Sequence, residues 1–191
     1  KKGGLDSYEK KEVDAGLIVE INHPGDIFSL NGLAMEQDIS LFQHLDAELG
    51  DSNRVFGSEL YMEPGARVSA SIINTETGPV YIGKNAQIME GCVIRGPFSL
   101  GEGAVLKMGA KIYGPTTIGP YCKVGGEVGN SVIQGFSNKG HDGFLGNSVI
   151  GEWCNLGADT NTSNLKNNYS PVKVWNYEKK GYDDTGKIFH G

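Results

Sequence analysis

The most regular feature of the chain is an aliphatic residue at every sixth position. Ile82, Ile88, Ile94, Leu100, Leu106, Ile112, Ile118 and Val124 hold one register without a miss. With apolar residues at 38% of the chain, eight successive hits in a chosen register arise by chance roughly a few times in ten thousand. Four residues after each comes a second, mostly small class: Ala86, Cys92, Phe98, Ala104, Ala110, Thr116 and Cys122, with Val128 following. Glycine follows the aliphatic residue at Ile82-Gly83, Leu100-Gly101 and Ile118-Gly119, so the superperiod is eighteen. Six residues suffice for a short strand and a tight corner, and three such sides close one turn. The pattern predicts a triangular prism of parallel strands, the aliphatic residue pointing inward and the small one packing near the corner.

After Val124 the register slips by two. It is expected to resume through Val132, Phe144, Ile150, Leu156 and Thr162, with Cys154 and Thr160 in the small-residue slot and Gly125 to Gly143 as a bulge or external loop. Upstream, Ala66-Arg67-Val68 to Ile73 reads as an irregular first coil. Before Ser58 the repeat is absent, and Asp26 to Leu49 spaces Leu33, Met35, Ile39, Phe42 and Leu45 on roughly one face, which predicts an amphipathic connector helix. The domain organisation expected is a connector over residues 1–57, a coil domain over 58–165, and a polar excursion over 166–191 with scattered aromatics (Tyr169, Trp175, Tyr177, Tyr182).

Composition sharpens this picture. Glycine supplies 29 of 191 residues, about twice its usual share, and the cost of turning every six residues accounts for the excess. The glycines do not recur every third residue, which excludes collagen, and 21% charged residues beside 38% apolar ones argue against disorder. A net charge of −6 with no basic run disfavours nucleic acid as a partner. No stretch approaches a membrane span and no signal peptide opens the chain, so a cytoplasmic protein is expected. The chain starts at Lys1 without an initiator Met and stops at Phe189-His190-Gly191, and is read as a piece of a longer protein. Cys92, Cys122 and Cys154 are odd in number and widely spaced, which indicates small buried residues and not a disulfide framework or zinc site. Asn161-Thr162-Ser163 and Asn168-Tyr169-Ser170 fit the glycosylation pattern, which has no meaning in a cytoplasmic chain.

The hexads resemble those of the left-handed β-helix acyltransferases, a mainly β fold of hexapeptide repeats. Within that group the stretch Gly140-His141-Asp142-Gly143-Phe144-Leu145-Gly146, Ile150-Gly151, Asn155-Leu156-Gly157-Ala158-Asp159-Thr160 and Asn164 is similar to the acetyltransferase half of the bifunctional glucosamine-1-phosphate acetyltransferase/N-acetylglucosamine-1-phosphate uridylyltransferase. The resemblance covers about Ile82 to Asn164. Pro24-Gly25-Asp26-Ile27-Phe28 also resembles the Pro-Trp-Asp linker that follows a sugar-nucleotidyltransferase domain, with Gly25 in place of the Trp.

The resemblance implies acetyl-CoA as co-substrate, an amino-sugar phosphate as acceptor, a homotrimer, and Mg2+ only for a missing nucleotidyltransferase domain. It makes His141 the general base, in keeping with imidazole's pKa near the working pH, and Glu127 a carboxylate near the active site that orients or charge-balances it. Asn155 and Asn164 fall on sugar-binding and base-positioning asparagines, Ala158 on a position at the thioester end of acetyl-CoA, and Lys111 on an Arg that contacts the sugar phosphate. A Lys supplies that charge without the bidentate fork. Two positions depart from the family: Gly129 replaces a phosphate-binding Lys, and Phe144 replaces a Tyr of the phosphate region. Losing such a contact costs roughly 1.5 to 3 kcal/mol; Lys139, two residues before His141, is a candidate to supply one charge.

Two function classes follow. One is an acetyl transfer to the amine of an amino sugar. The other is a non-catalytic oligomerisation and regulatory module of a sugar-1-phosphate uridylyl- or thymidylyltransferase, which Gly129 and Phe144 favour and His141, Asn155 and Asn164 oppose. The β-helix carbonic anhydrases need three histidines around zinc. Of His23, His44, His141 and His190 only His141 lies within the recognisable coil, so no metal site is expected.

Overall fold

The computed structural model describes residues 11–13, 18–39, 41, 49–162 and 164–191. Its body is the expected mainly β solenoid of about five coils, built from three parallel sheets. Face A stacks Arg54–Phe56, Ile72–Asn74, Val93–Arg95, Lys111–Tyr113, Glu127–Gly129 and Phe144–Gly146; face B stacks Leu60–Met62, Val80–Ile82, Phe98–Leu100, Thr116–Ile118, Val132–Ile133 and Val149–Ile150. Face C stacks Arg67–Val68, Gln87–Ile88, Val105–Leu106, Lys123–Val124 and Asn138–Lys139, and the bridge from Asn138 to Asn155 extends it.

Each strand is two or three residues long, so it can turn only one or two side chains inward. The hexad aliphatics from Ile82 to Val124 take those places and are buried, with Ala86, Cys92, Phe98, Ala104, Ala110, Thr116 and Cys122 beside them. The prism is filled, and burial pushes the Cys92 and Cys122 thiols above their ordinary pKa.

Past Val124 the structure corrects the expected register. No external loop interrupts residues 125–143, which hold the strands Glu127–Gly129, Val132–Ile133 and Asn138–Lys139. The chain instead shortens individual sides. The inward residues run Val124, Val128, Ile133, Lys139, Leu145 and Ile150, with steps of four, five, six, six and five. Val132 and Phe144, expected inside, are only half-buried, and Ile133 and Leu145 take their places. A one-residue shift along a strand reverses the face a side chain presents, so spreading the deletion over several corners moves each inward position separately.

The helix spans Pro24–Ile39, two residues earlier than expected. Pro24 suits a first helical position because its missing N–H has no intrahelical partner there. The Asp26 carboxylate accepts the backbone N–H groups of Asn22 and His23 at 3.0 and 2.9 Å, which fixes the chain's entry into the helix. Phe28, Gly32, Met35 and Ile39 follow helical spacing; Phe28 is buried, Gly32 meets Pro115, and the Thr117 hydroxyl on face B donates to Asn31 Oδ1 at 2.8 Å. Leu33, expected on the apolar stripe, lies off that spacing and is exposed. Phe42 and Leu45 of the expected helix lie outside the described residues.

Residues 166–191 carry an antiparallel hairpin, Lys173–Asn176 with Gly181–Asp184. The chain then returns to the coil, where Leu165 bridges Phe189, and to the helix, where Lys187 reaches Asp26. Among the described residues no helix is long and apolar enough to cross a membrane.

Candidate functional site

Register places one column of outward side chains on face C. Val105, Lys123, Asn138 and Asn155 are successive cross-strand partners, so their side chains stand one above the next. Lys107 flanks the column one residue past the inward Leu106. At the top of face C the chain turns through Gly140-His141-Asp142-Gly143 toward face A, and His141 is exposed at this corner. Together Lys107, Lys123, Asn138, His141, Asn155 and Ala158 line a cleft of about 330 Å³.

The cleft exists because successive corners differ in length. From Val124 to Val128 the chain takes four residues between inward positions, and from Lys139 to Leu145 it takes six. The longer His141 corner therefore overhangs the shorter Gly125-Gly126 corner beneath it. The next rung supports it from above, where the Asp159 N–H donates to the Asp142 carbonyl at 3.0 Å.

The site residues expected from sequence divide between two faces. His141, Asn155 and Ala158 share the cleft. Lys111, Glu127 and Phe144 are cross-strand partners on three consecutive rungs of face A, around the corner from it. Asn164 stands farther along, half-buried, with its side-chain amide donating to Asn147 Oδ1 at 2.8 Å. Gly129 leaves the outside of face A open beside Tyr113 and Gly146. Phe144 turns its ring against Gly146, and its backbone N–H donates to Asn161 Oδ1 at 2.7 Å.

Lys139 departs from expectation. It occupies the inward slot of face C at 2% exposure, and its ammonium donates to the carbonyls of Gly125 at 2.8 Å and His141 at 3.0 Å. It therefore does not supply a surface charge for a bound anion. Burial pushes its pKa below the ordinary lysine value, partly offset by the Asp142 carboxylate. The positive charge in the cleft comes from Lys107 and Lys123, neither of which is among the site residues expected from sequence. Their signal was positional, since each is the outward neighbour of an inward aliphatic in face C.

The arrangement offers one exposed imidazole, two ammonium groups and two side-chain amides around an open cleft. These can take a proton from an amine, balance an anionic group, and hydrogen-bond hydroxyl or carbonyl oxygens. Among the described residues no three His, Cys, Asp or Glu side chains converge on a metal site.

No family model matches the chain. It is 45% identical over 105 residues to an uncharacterized acetyltransferase, YaiX, of Escherichia coli (strain 536), covering 54% of this chain and 46% of that protein. A putative uncharacterized acetyltransferase YaiX of a second Escherichia coli strain is 43% identical over 115 residues, 59% of this chain and 50% of the relative. The bifunctional protein GlmU of Methanococcus aeolicus is 41% identical over 54 residues, 28% of this chain and 13% of the relative. The chain spans about half the length of the acetyltransferases it matches. Its solenoid and these relatives together make it similar to the GlmU-like hexapeptide acetyltransferases.

Proposed function

We propose that the coil domain is an acyltransferase that moves an acetyl group from acetyl-CoA to the amine of an amino-sugar phosphate or related amino sugar, with His141 as general base. The observation that carries this reading is the grouping of His141, Asn155 and Ala158 with Lys107 and Lys123 in one cleft. Similarity to acetyltransferases supports the reaction class.

The His141 imidazole takes a proton from the acceptor nitrogen as that nitrogen bonds to the thioester carbonyl carbon. The C–S bond then breaks, and CoA leaves as a thiolate that recovers the proton as the free thiol. Asn138 and Asn155 hold substrate oxygens by hydrogen bonds, and Lys107 and Lys123 balance phosphate charge. Lys111, Glu127 and Phe144 face away from this cleft around the corner. Their participation fits a trimer, in which face A of one prism borders the cleft of the next. A nucleotidyl transfer dependent on Mg2+ belongs to this reading only as chemistry carried outside these residues.

Thiol release from acetyl-CoA in the presence of a panel of amino-sugar phosphates tests the reading. His141→Ala is expected to lower the rate about a hundred- to ten-thousandfold. An unchanged rate excludes His141 as the base.

Gly129 and Phe144 favour a second reading, a non-catalytic assembly and regulatory module, because both lack the groups that would grip a phosphate on face A. Calorimetry with CoA and acetyl-CoA separates the two. Heat of binding supports the enzyme, and its absence at millimolar ligand supports the module.

A further inference from the structure

Lys139 is the anomaly of the prism interior. The inward column of face C runs Val68, Ile88, Leu106, Val124, Lys139 and then Leu156. Four rungs in succession fill this slot with an aliphatic side chain, which packs without any desolvation cost. A buried ammonium is the costliest occupant available, and it persists only where its hydrogen bonds are specific and well made.

The space it uses comes from two glycines. Cys92 and Ala110 fill the small corner slot in the lower rungs with a side chain. Gly126 takes that slot in the shortened rung, where an added Cβ would lie 2.9 Å from Lys139 Nζ. Gly143 takes it in the next rung, with Thr160 against it. The ammonium passes into this gap and binds one carbonyl on each side of it, Gly125 on the short corner and His141 on the overhanging one.

We infer that Lys139 is a positioning residue for His141: its ammonium ties the overhanging corner to the corner below and fixes the peptide plane from which the imidazole projects into the cleft. The inference rests on His141 acting as the base. With the Asp142 carbonyl held by the Asp159 N–H, two consecutive peptide planes at the corner are anchored, one from within and one from the next rung. Without the lysine bond the His141 carbonyl has only glycine-flanked backbone to hold it, and an ångström of drift in a base costs up to about a hundredfold in rate.

The test compares Lys139→Met with the unaltered chain at a temperature where urea melts show both fully folded. Methionine retains much of the lysine volume and removes the donors. The expected result is a fall in kcat of about ten- to a hundredfold with the KM for acetyl-CoA within about twofold, because the cleft-lining Lys107 and Lys123 are untouched. A lysine that only stabilises the coil leaves the kcat of folded protein unchanged, and that outcome overturns the inference. If the methionine variant does not fold, Lys139→Gln, which keeps an N–H donor of shorter reach, is judged by the same split between kcat and KM. Full turnover by His141→Ala refutes the base assignment itself. An inactive His141→Ala beside a fully active Lys139→Met refutes only the role given to Lys139.

Discussion

Two stretches of the same solenoid behave differently. From Ile82 to Val124 every inward step is six residues and every inward aliphatic is buried to 0 or 1% exposure. From Gly125 to Thr162 some inward steps shorten to four or five residues, glycine replaces the small residue at two corners (Gly126 and Gly143), and a lysine enters the interior column. The regular stretch has equal rungs, so its surface is even and its interior is full. The irregular stretch has unequal rungs, and the overhanging corner carries His141 at a cleft bordered by Lys107 and Lys123 on the rungs before it and by Asn155 and Ala158 on the rung after it. In a filled prism, a pocket arises from a change in the length of a side rather than from a hollow core.

The largest expected effect tests whether the regular stretch carries the stability. Leu106→Ala removes a fully buried side chain with rungs on both sides, and is expected to cost about 2 to 5 kcal/mol. Leu156→Ala, in the same column but partly exposed, is expected to cost less than half as much, because its site is already open to water. Urea melts of the two variants measure the contrast. Equal losses would show that the two stretches are equally well packed.

The regular stretch was legible because hydrophobic periodicity reports equal sides directly: eight aliphatic residues in one register fix the inward set and the corners together. The irregular stretch was legible only in part. The family-like run from Gly140 to Asn164 pointed to His141, Asn155 and Ala158, which the fold gathers in one cleft. A period of six makes the slip after Val124 a single two-residue jump, which puts Val132 and Phe144 inside. The deletions are distributed over three corners, and a period of six carries no information about where between two inward residues a deletion falls. The inward position of Lys139 is hidden in the sequence for a related reason. A lysine in a glycine-rich run suggests a solvated loop by composition, and only the strand register shows that it occupies the slot of Val124 one rung later. Lys107 and Lys123 carry no functional signal in the sequence, because outward positions vary freely in a repeat whose pattern lies inside.

A smaller effect separates the two stretches by pH. Burial lowers the Lys139 pKa below its ordinary 10.5. Between the folded and unfolded values the unfolded chain holds a proton that the folded chain has shed, so this lysine makes stability rise with pH in that window. The buried thiols Cys92 and Cys122 act oppositely: their raised values make stability fall as pH climbs past the ordinary thiol range. The readout is therefore the difference between the unaltered chain and Lys139→Met. As pH rises toward the ordinary lysine value of 10.5, the variant is expected to lack the stabilising slope that the unaltered chain shows. Parallel profiles would mean that the ammonium pays no desolvation cost and that the irregular stretch is wetter inside than the regular one.

The smallest effect concerns how the helix and the returning chain brace the coils. Asp26 accepts N–H groups from Asn22 and His23 and pairs with Lys187, whose ammonium also donates to the Gly25 carbonyl at 3.0 Å and the Ser29 hydroxyl at 2.8 Å. The His23 N–H, the Lys187 ammonium and the Asn22 N–H lower its pKa from 3.8 to about 2. A carboxylate held low contributes stability that is fully present above its unfolded value and lost as pH falls from about 4 toward about 2. The group is partly exposed and screened by solvent, so its loss loosens a local attachment rather than the prism. Because Lys187 follows the hairpin directly, the emission of Trp175 reports that loosening, and Trp153→Phe removes the other indole from the signal. Acid is expected to shift this emission before it changes the far-ultraviolet signal of the sheets, and Asp26→Asn is expected to give the loosened emission already at neutral pH. Simultaneous loss of both signals would mean that the C-terminal return and the regular coils unfold as one unit, and the contrast between stretches would then be one of geometry without a difference in local stability.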